Sequence, residues 1–119
     1  MATTRRFGLL QGVIVTAAVA TALIHIALYF QFPVLSSPEA IVFLLNGIGY
    51  LGLTALLFLP IPGVERFRTP LRWALILYTL VTIFGWVFVG ARSTIAYIDK
   101  GIEIVLVIAL WLDWQRSRG

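Results

Sequence analysis

Four stretches of roughly twenty apolar residues, each closed by proline, glycine or charged residues, constrain this chain more than any other feature. A helix rises ~1.5 Å per residue and the hydrocarbon core of a bilayer is ~30 Å thick, so about 20 residues make one crossing. The 119 residues therefore hold about four crossings, short connections and no extramembrane domain. Composition agrees: 61% of residues are hydrophobic and 12% charged, where an ordinary soluble domain has about a quarter charged. The predicted fold class is all-α, a polytopic membrane protein built as one four-transmembrane-helix bundle.

The first run extends from Phe7 to Phe32 and ends at Pro33. It is much longer than the ~7–15 apolar residues of a signal peptide, and so is expected to be a retained helix. Ser37-Pro38-Glu39 then supplies a cap, a proline suited to the first helical position and a first-turn acid facing the positive end of the helix dipole. The second span is predicted over 38–59, stopped by Pro60, Pro62 and Gly63. Thr69-Pro70 opens a third span over 70–89, and a fourth is predicted over 93–114.

Orientation follows from the cations, which are retained on the cytoplasmic side of short loops. Arg5, Arg6, Arg66, Arg68, Arg72, Arg116 and Arg118 fall on one side; the other has Arg92 and Lys100. Both chain ends are therefore expected in the cytoplasm, in a multi-pass protein of a prokaryotic inner membrane. The bias argues against a dual-topology dimer. Trp73, Trp111 and Trp114 fit an aromatic belt at the cytoplasmic interface. Gly8 and Gly12, Ala18 and Ala22, and the group Gly47, Gly49 and Gly52 mark surfaces where helices can approach closely, within one chain or between copies.

Ionisable residues are expensive inside a membrane and so mark the informative positions. Glu103 lies 11 residues before Trp114, about 16 Å along a helix axis, near mid-bilayer. Asp99 and Lys100 fall in the outer third. His25 and Asn46 lie about 12 and 10 Å below the outer ends of their spans. Asp99 and Glu103 are spaced i, i+4 and share one helix face. The candidate polar cluster is thus His25, Asn46, Asp99, Lys100 and Glu103, with Thr82 at a similar depth and Tyr29, Tyr50 and Tyr97 able to add hydroxyls. In the alternative reading, Asp99 caps a shorter fourth helix and the charges are ordinary surface residues.

The absence of cysteine excludes disulfides and thiolate chemistry. The net charge of +4 does not point to nucleic acid, because the cations sit at span ends and form no face. No nucleophile arrangement, phosphate loop or metal motif is present, so no enzymatic activity is expected. In size the chain can be set beside small multidrug transporters and small fluoride channels. Its first span lacks the acid used for proton coupling in the former, and its charge bias contradicts the dual topology of the latter. The stretches Phe43-Leu44-Leu45-Asn46-Gly47-Ile48-Gly49-Tyr50-Leu51 and Tyr97-Ile98-Asp99-Lys100-Gly101-Ile102-Glu103 resemble those of uncharacterised small four-helix membrane proteins of prokaryotes. That resemblance covers most of the chain and implies the fold, but no activity.

The leading expectation is a small non-catalytic subunit packing through apolar faces into a larger membrane assembly or onto copies of itself, with the lipid bilayer as its other partner. A second is a proton- or ion-coupled channel or carrier, with Glu103 titrating, Lys100 tuning it and His25 as outer relay. A third is haem or pigment binding with His25 as the single axial ligand. No resident metal is expected.

Overall fold

The computed structural model describes residues 8–90 and 92–118, with side chains through Ser117. Arg5, Arg6, Phe7, Ala91 and the Arg118 side chain, which carry part of the charge and boundary reading, lie outside the described residues. Four helices follow in order: α1 (Leu9–Tyr29), α2 (Pro38–Phe58), α3 (Arg68–Val89) and α4 (Thr94–Arg118), with one 3₁₀ turn at Glu65–Phe67. α1, α2 and the continuous stretch Glu65–Val89 are long and apolar enough to cross a membrane. α4 is the longest helix, but Asp99, Lys100, Glu103 and Asp113 interrupt its apolar composition.

Local chemistry sets the helix ends. α1 stops at Tyr29 because Phe30, Gln31 and Phe32 turn into i→i+3 hydrogen bonds ahead of Pro33. Ser37 Oγ accepts from the Ala40 N–H at 3.3 Å to cap α2, whose first residue is Pro38. Leu59 is extended, as the residue before Pro60 must be. α3 starts two residues before Pro70 because the 3₁₀ turn runs straight into it. The proline ring falls in the first helical turn, where no N–H partner is needed. Ser93 Oγ accepts from Ala96 N–H at 3.3 Å, so α4 begins at Thr94. Asp99 is therefore not a cap: it lies in the second turn, buried.

Each helix packs on its chain neighbours, and α4 returns onto α1, giving an antiparallel ring of four. The connections after α1 and α3 share one end, called upper here; the connection between α2 and α3 lies at the lower end. Buried residues on α1 are Ile14, Ala17, Ala18, Thr21, Ala22 and His25, one helical stripe. The corresponding stripe on α4 is Asp99, Lys100, Glu103, Leu106, Ala109, Leu110 and Asp113. All four charges in the body of α4 thus point into the bundle. An apolar middle of Ile14, Ala18, Leu57, Leu75, Leu106 and Leu110 separates two polar layers. Large apolar side chains such as Leu23, Leu45, Leu77, Val81, Phe88 and Ile108 cover the outside, a surface suited to hydrocarbon rather than water.

Two of the described glycines allow neighbouring helices to approach closely. A Cβ on Gly47 would lie 2.8 Å from the Ala22 carbonyl oxygen and 2.7 Å from Ile26 Cγ1, so Gly47 sets the α1 to α2 distance. A Cβ on Gly49 would collide with the Tyr78 hydroxyl of α3. Gly12 and Gly52 face open space.

Candidate functional site

The upper polar layer is a compact ionic group. Lys100 Nζ donates to Glu103 Oε1 at 2.7 Å and to Asp99 Oδ2 at 3.0 Å. Glu103 Oε2 accepts from the Tyr50 hydroxyl of α2 at 2.9 Å and stands 3.0 Å from the Thr21 hydroxyl of α1. The same Thr21 oxygen is 2.6 Å from Asp99 Oδ1. Its one proton can satisfy only one of the two carboxylates. Three helices therefore converge on two acids and one ammonium. Glu103 has no exposed surface, and Lys100, the most exposed of the group, shows 7%.

His25 completes the group from α1. Its Nδ1 is 2.8 Å from the Thr21 carbonyl oxygen, and because a carbonyl only accepts, Nδ1 carries a proton. Nε2 then faces Asp99 Oδ2 at 3.7 Å. In the neutral ring that places a lone pair against a carboxylate; a second proton on Nε2 would make it an ion pair. The ring sits between Phe43 and Tyr50, with centroids 5.6 and 6.1 Å away. To serve as an axial ligand to a pigment, Nε2 would have to turn away from Asp99. His25, Asp99 and Glu103 also bring potential metal-ligating atoms within 4.8 Å of one another. The cation position between the two carboxylates is taken by the Lys100 ammonium.

The charge count decides what this group can do. Two carboxylates and one ammonium leave it one positive charge short when His25 is neutral. An unbalanced buried charge costs several kcal/mol. With both acids ionised, one further positive charge would balance the group.

A cavity of about 780 Å³ opens at the upper end of the bundle and has His25, Asp99 and Lys100 at its floor. Its walls are mainly apolar, contributed by all four helices. At the opposite end, Arg72 of α3 pairs with Asp113 of α4 at 2.8 Å, Gln11 Nε2 of α1 donates to Asp113 Oδ1 at 2.7 Å, and Arg72 Nη1 donates to Ser117 Oγ at 3.2 Å. Arg72 is only 2% exposed. Read from the sequence as a flanking cation, Arg72 is instead consumed inside the bundle. This second ionic layer and the apolar middle pack the bundle below the cavity.

Of the residues singled out from the sequence, the structure brings together His25, Asp99, Lys100 and Glu103. Asn46 stands apart in the cavity wall, where its Nδ2 donates to Thr82 Oγ1 at 2.9 Å and its backbone oxygen accepts from Tyr78 at 2.7 Å. Tyr50 joins the cluster. Tyr29 packs edge-on against Phe30, and Tyr97 against Trp86. Thr21 and Asp113 went unread. Their signal was position: Thr21 is one turn before His25, and Asp113 continues the stripe of Glu103, Leu106 and Leu110. Trp73 and Trp114 stack edge-to-face at 5.1 Å, and Trp111 is exposed.

No curated protein and no solved structure matches the chain. A family model described as a family of unknown function, DUF7475, matches residues 2–112, and the chain belongs to that family.

Proposed function

We propose that this chain is a four-span membrane protein that binds and exchanges a proton or a small monovalent cation at the His25, Asp99, Lys100 and Glu103 group. One observation carries the reading: His25, Asp99 and Lys100, members of a buried group that is one positive charge short with both acids ionised, line a cavity at the upper end of the bundle. Ionisable groups inside a membrane face partners or water, and this arrangement does both. A passage closed below by Arg72, Asp113 and the apolar middle is that of a carrier or an ion-binding site, not of a standing pore.

In this reading α4 crosses the bilayer with its charges turned inward, and the lower end lies in the cytoplasm of a prokaryotic inner membrane. Arg66, Arg68 and Arg116 at the lower end support that orientation against Arg92 at the upper end. Arg72 and Lys100, both buried in ion pairs, no longer weigh in the comparison.

The test is proton flux into liposomes reconstituted with the protein and loaded with a pH-sensitive dye. Wild-type chain is expected to carry protons under an imposed potential, and Asp99→Asn and Glu103→Gln to lose most of that flux. Flux equal to wild type in both variants would refute the reading.

A second reading keeps the chain as a non-catalytic subunit of a larger assembly. A groove of about 820 Å³ between α1 and α4, walled by Gly12, Val13, Ala20, Gly101 and Val105, favours it. Native mass spectrometry of protein extracted from its own membrane tests this. Co-migrating foreign chains support it, and a bare particle opposes it.

A further inference from the structure

The upper cavity has the size of a small-molecule site, which typically measures about 300–1,000 Å³ with apolar walls and a few convergent polar groups. Its volume is about 780 Å³, with Leu28, Phe32, Phe43 and Trp86 among its apolar walls. A bare proton or metal ion needs neither that volume nor those walls. An organic occupant does.

The hydrogen-bond inventory of the floor states what the head of such an occupant must be. The donors are largely spent. Lys100 gives two of its three N–H groups to Glu103 and Asp99. His25 Nδ1 is held by the Thr21 carbonyl, Asn46 Nδ2 by Thr82, and the Thr82 hydroxyl by the Tyr78 carbonyl. The acceptors are not. His25 Nε2 has no hydrogen bond among the described residues, only the Asp99 carboxylate at 3.7 Å. Asn46 Oδ1 is buried in the wall with no donor. Beyond the two Lys100 bonds and the one from Tyr50, the two carboxylates share a single Thr21 proton, fewer donors than their lone pairs can take. A floor rich in acceptors and one positive charge short recognises a positively charged donor.

We propose that the upper cavity binds an organic ammonium carrying N–H groups and an apolar body, and that this cation and a proton compete for the same charge deficit. The proposal rests on the proton or cation site above and names its substrate class. The ionisable groups that face His25 are Asp99, Glu103 and Lys100 from α4 and Tyr50 from α2. With the site protonated, Lys100 and the added proton balance Asp99 and Glu103. An arriving ammonium replaces that proton, which leaves through the cavity to solvent. One positive charge enters and one departs, and no covalent bond to carbon is made or broken.

The test uses the whole chain in detergent micelles and three probes of like shape: phenethylammonium, phenethyl alcohol and phenylacetate. Calorimetry in two buffers of different ionisation enthalpy measures affinity and protons released together. Phenethylammonium is expected to bind with about one proton released per ligand, and more weakly as pH is lowered. The alcohol and the carboxylate are expected to bind at least about tenfold more weakly, as is phenethylammonium to Asp99→Asn. Asn46→Leu, outside the ionic group, is expected to weaken the ammonium several-fold with release still near one proton. Equal binding of the alcohol, or ammonium binding without proton release, would overturn the proposal. Proton flux that depends on Asp99 and Glu103 in a chain that binds no ammonium would overturn the ligand assignment alone and leave the proton site standing. Ammonium binding with proton release but no flux in liposomes supports the ligand and refutes transport.

Discussion

Removing the ammonium from the upper layer should damage the fold far more than removing one of its acids. Lys100 Nζ lies 2.7 and 3.0 Å from two carboxylates that are themselves almost wholly buried. Lys100→Met keeps the apolar stem and leaves both acids with no cation between them. Breaking a buried pair by deleting one partner costs about 3–5 kcal/mol. Glu103→Gln keeps the volume, leaves Lys100 paired with Asp99 and lets the group balance without an added proton. The charge-assisted bond it loses is worth ~1.5–3 kcal/mol, and the relief of unbalanced charge offsets most of that, for a net cost of about 1 kcal/mol or less. Combining the two substitutions should recover part of the Lys100→Met loss, since one uncompensated acid is then gone. Reversible unfolding in mixed micelles, titrated with sodium dodecyl sulfate and followed by circular dichroism, reads all three. A Glu103→Gln variant as unstable as Lys100→Met would refute the charge count on which the site is built.

Other expectations follow from the lower layer and from helix packing. Arg72→Met should cost about 3–5 kcal/mol in the same titration, and Arg72→Met with Asp113→Leu should recover most of it, because a matched apolar pair replaces a buried ionic one at little net loss. Gly47→Ala should destabilise by about 1–3 kcal/mol through overpacking against Ala22 and Ile26, whereas Gly12→Ala should stay within about 0.5 kcal/mol.

The helices were legible because punctuation and apolar length coincide. Ser37-Pro38 and the Leu59-Pro60 step mark α2 at both ends, and Pro33 bounds α1. Less legible was α4. Its charges suggested either a buried face or a capped surface segment, and sequence alone could not choose between them. The choice was made by Ser93, which caps the helix six residues before Asp99 and so commits that face to the bundle interior. The site was half legible. Asp99, Lys100 and Glu103 announce themselves by the cost of placing them in hydrocarbon, and His25 shares their depth. Thr21 does not, because a threonine in an apolar helix commonly bonds its own backbone and carries no signal of a partner 78 residues away. Asn46 shares the depth but not the facing, and depth estimated from residue counts says nothing of rotation about a helix axis. Arg72 and Asp113 were hidden for another reason: near a span end, a charge is cheap, so only the packed bundle reveals them as buried partners.

The central claim, a cavity reached from one side and ending at the ionic group, can be measured with single cysteines, since the chain has none of its own. Ala96→Cys places a thiol in the cavity wall, and Leu106→Cys places one in the closed apolar middle below Glu103. Sealed, oriented vesicles would be treated with a membrane-impermeant thiosulfonate from either side, and labelling read by mass spectrometry. The Ala96→Cys thiol is expected to react from the side opposite the chain termini only, and the Leu106→Cys thiol from neither side. Labelling of Leu106→Cys from both sides, or of Ala96→Cys only from the side of the termini, would contradict the account.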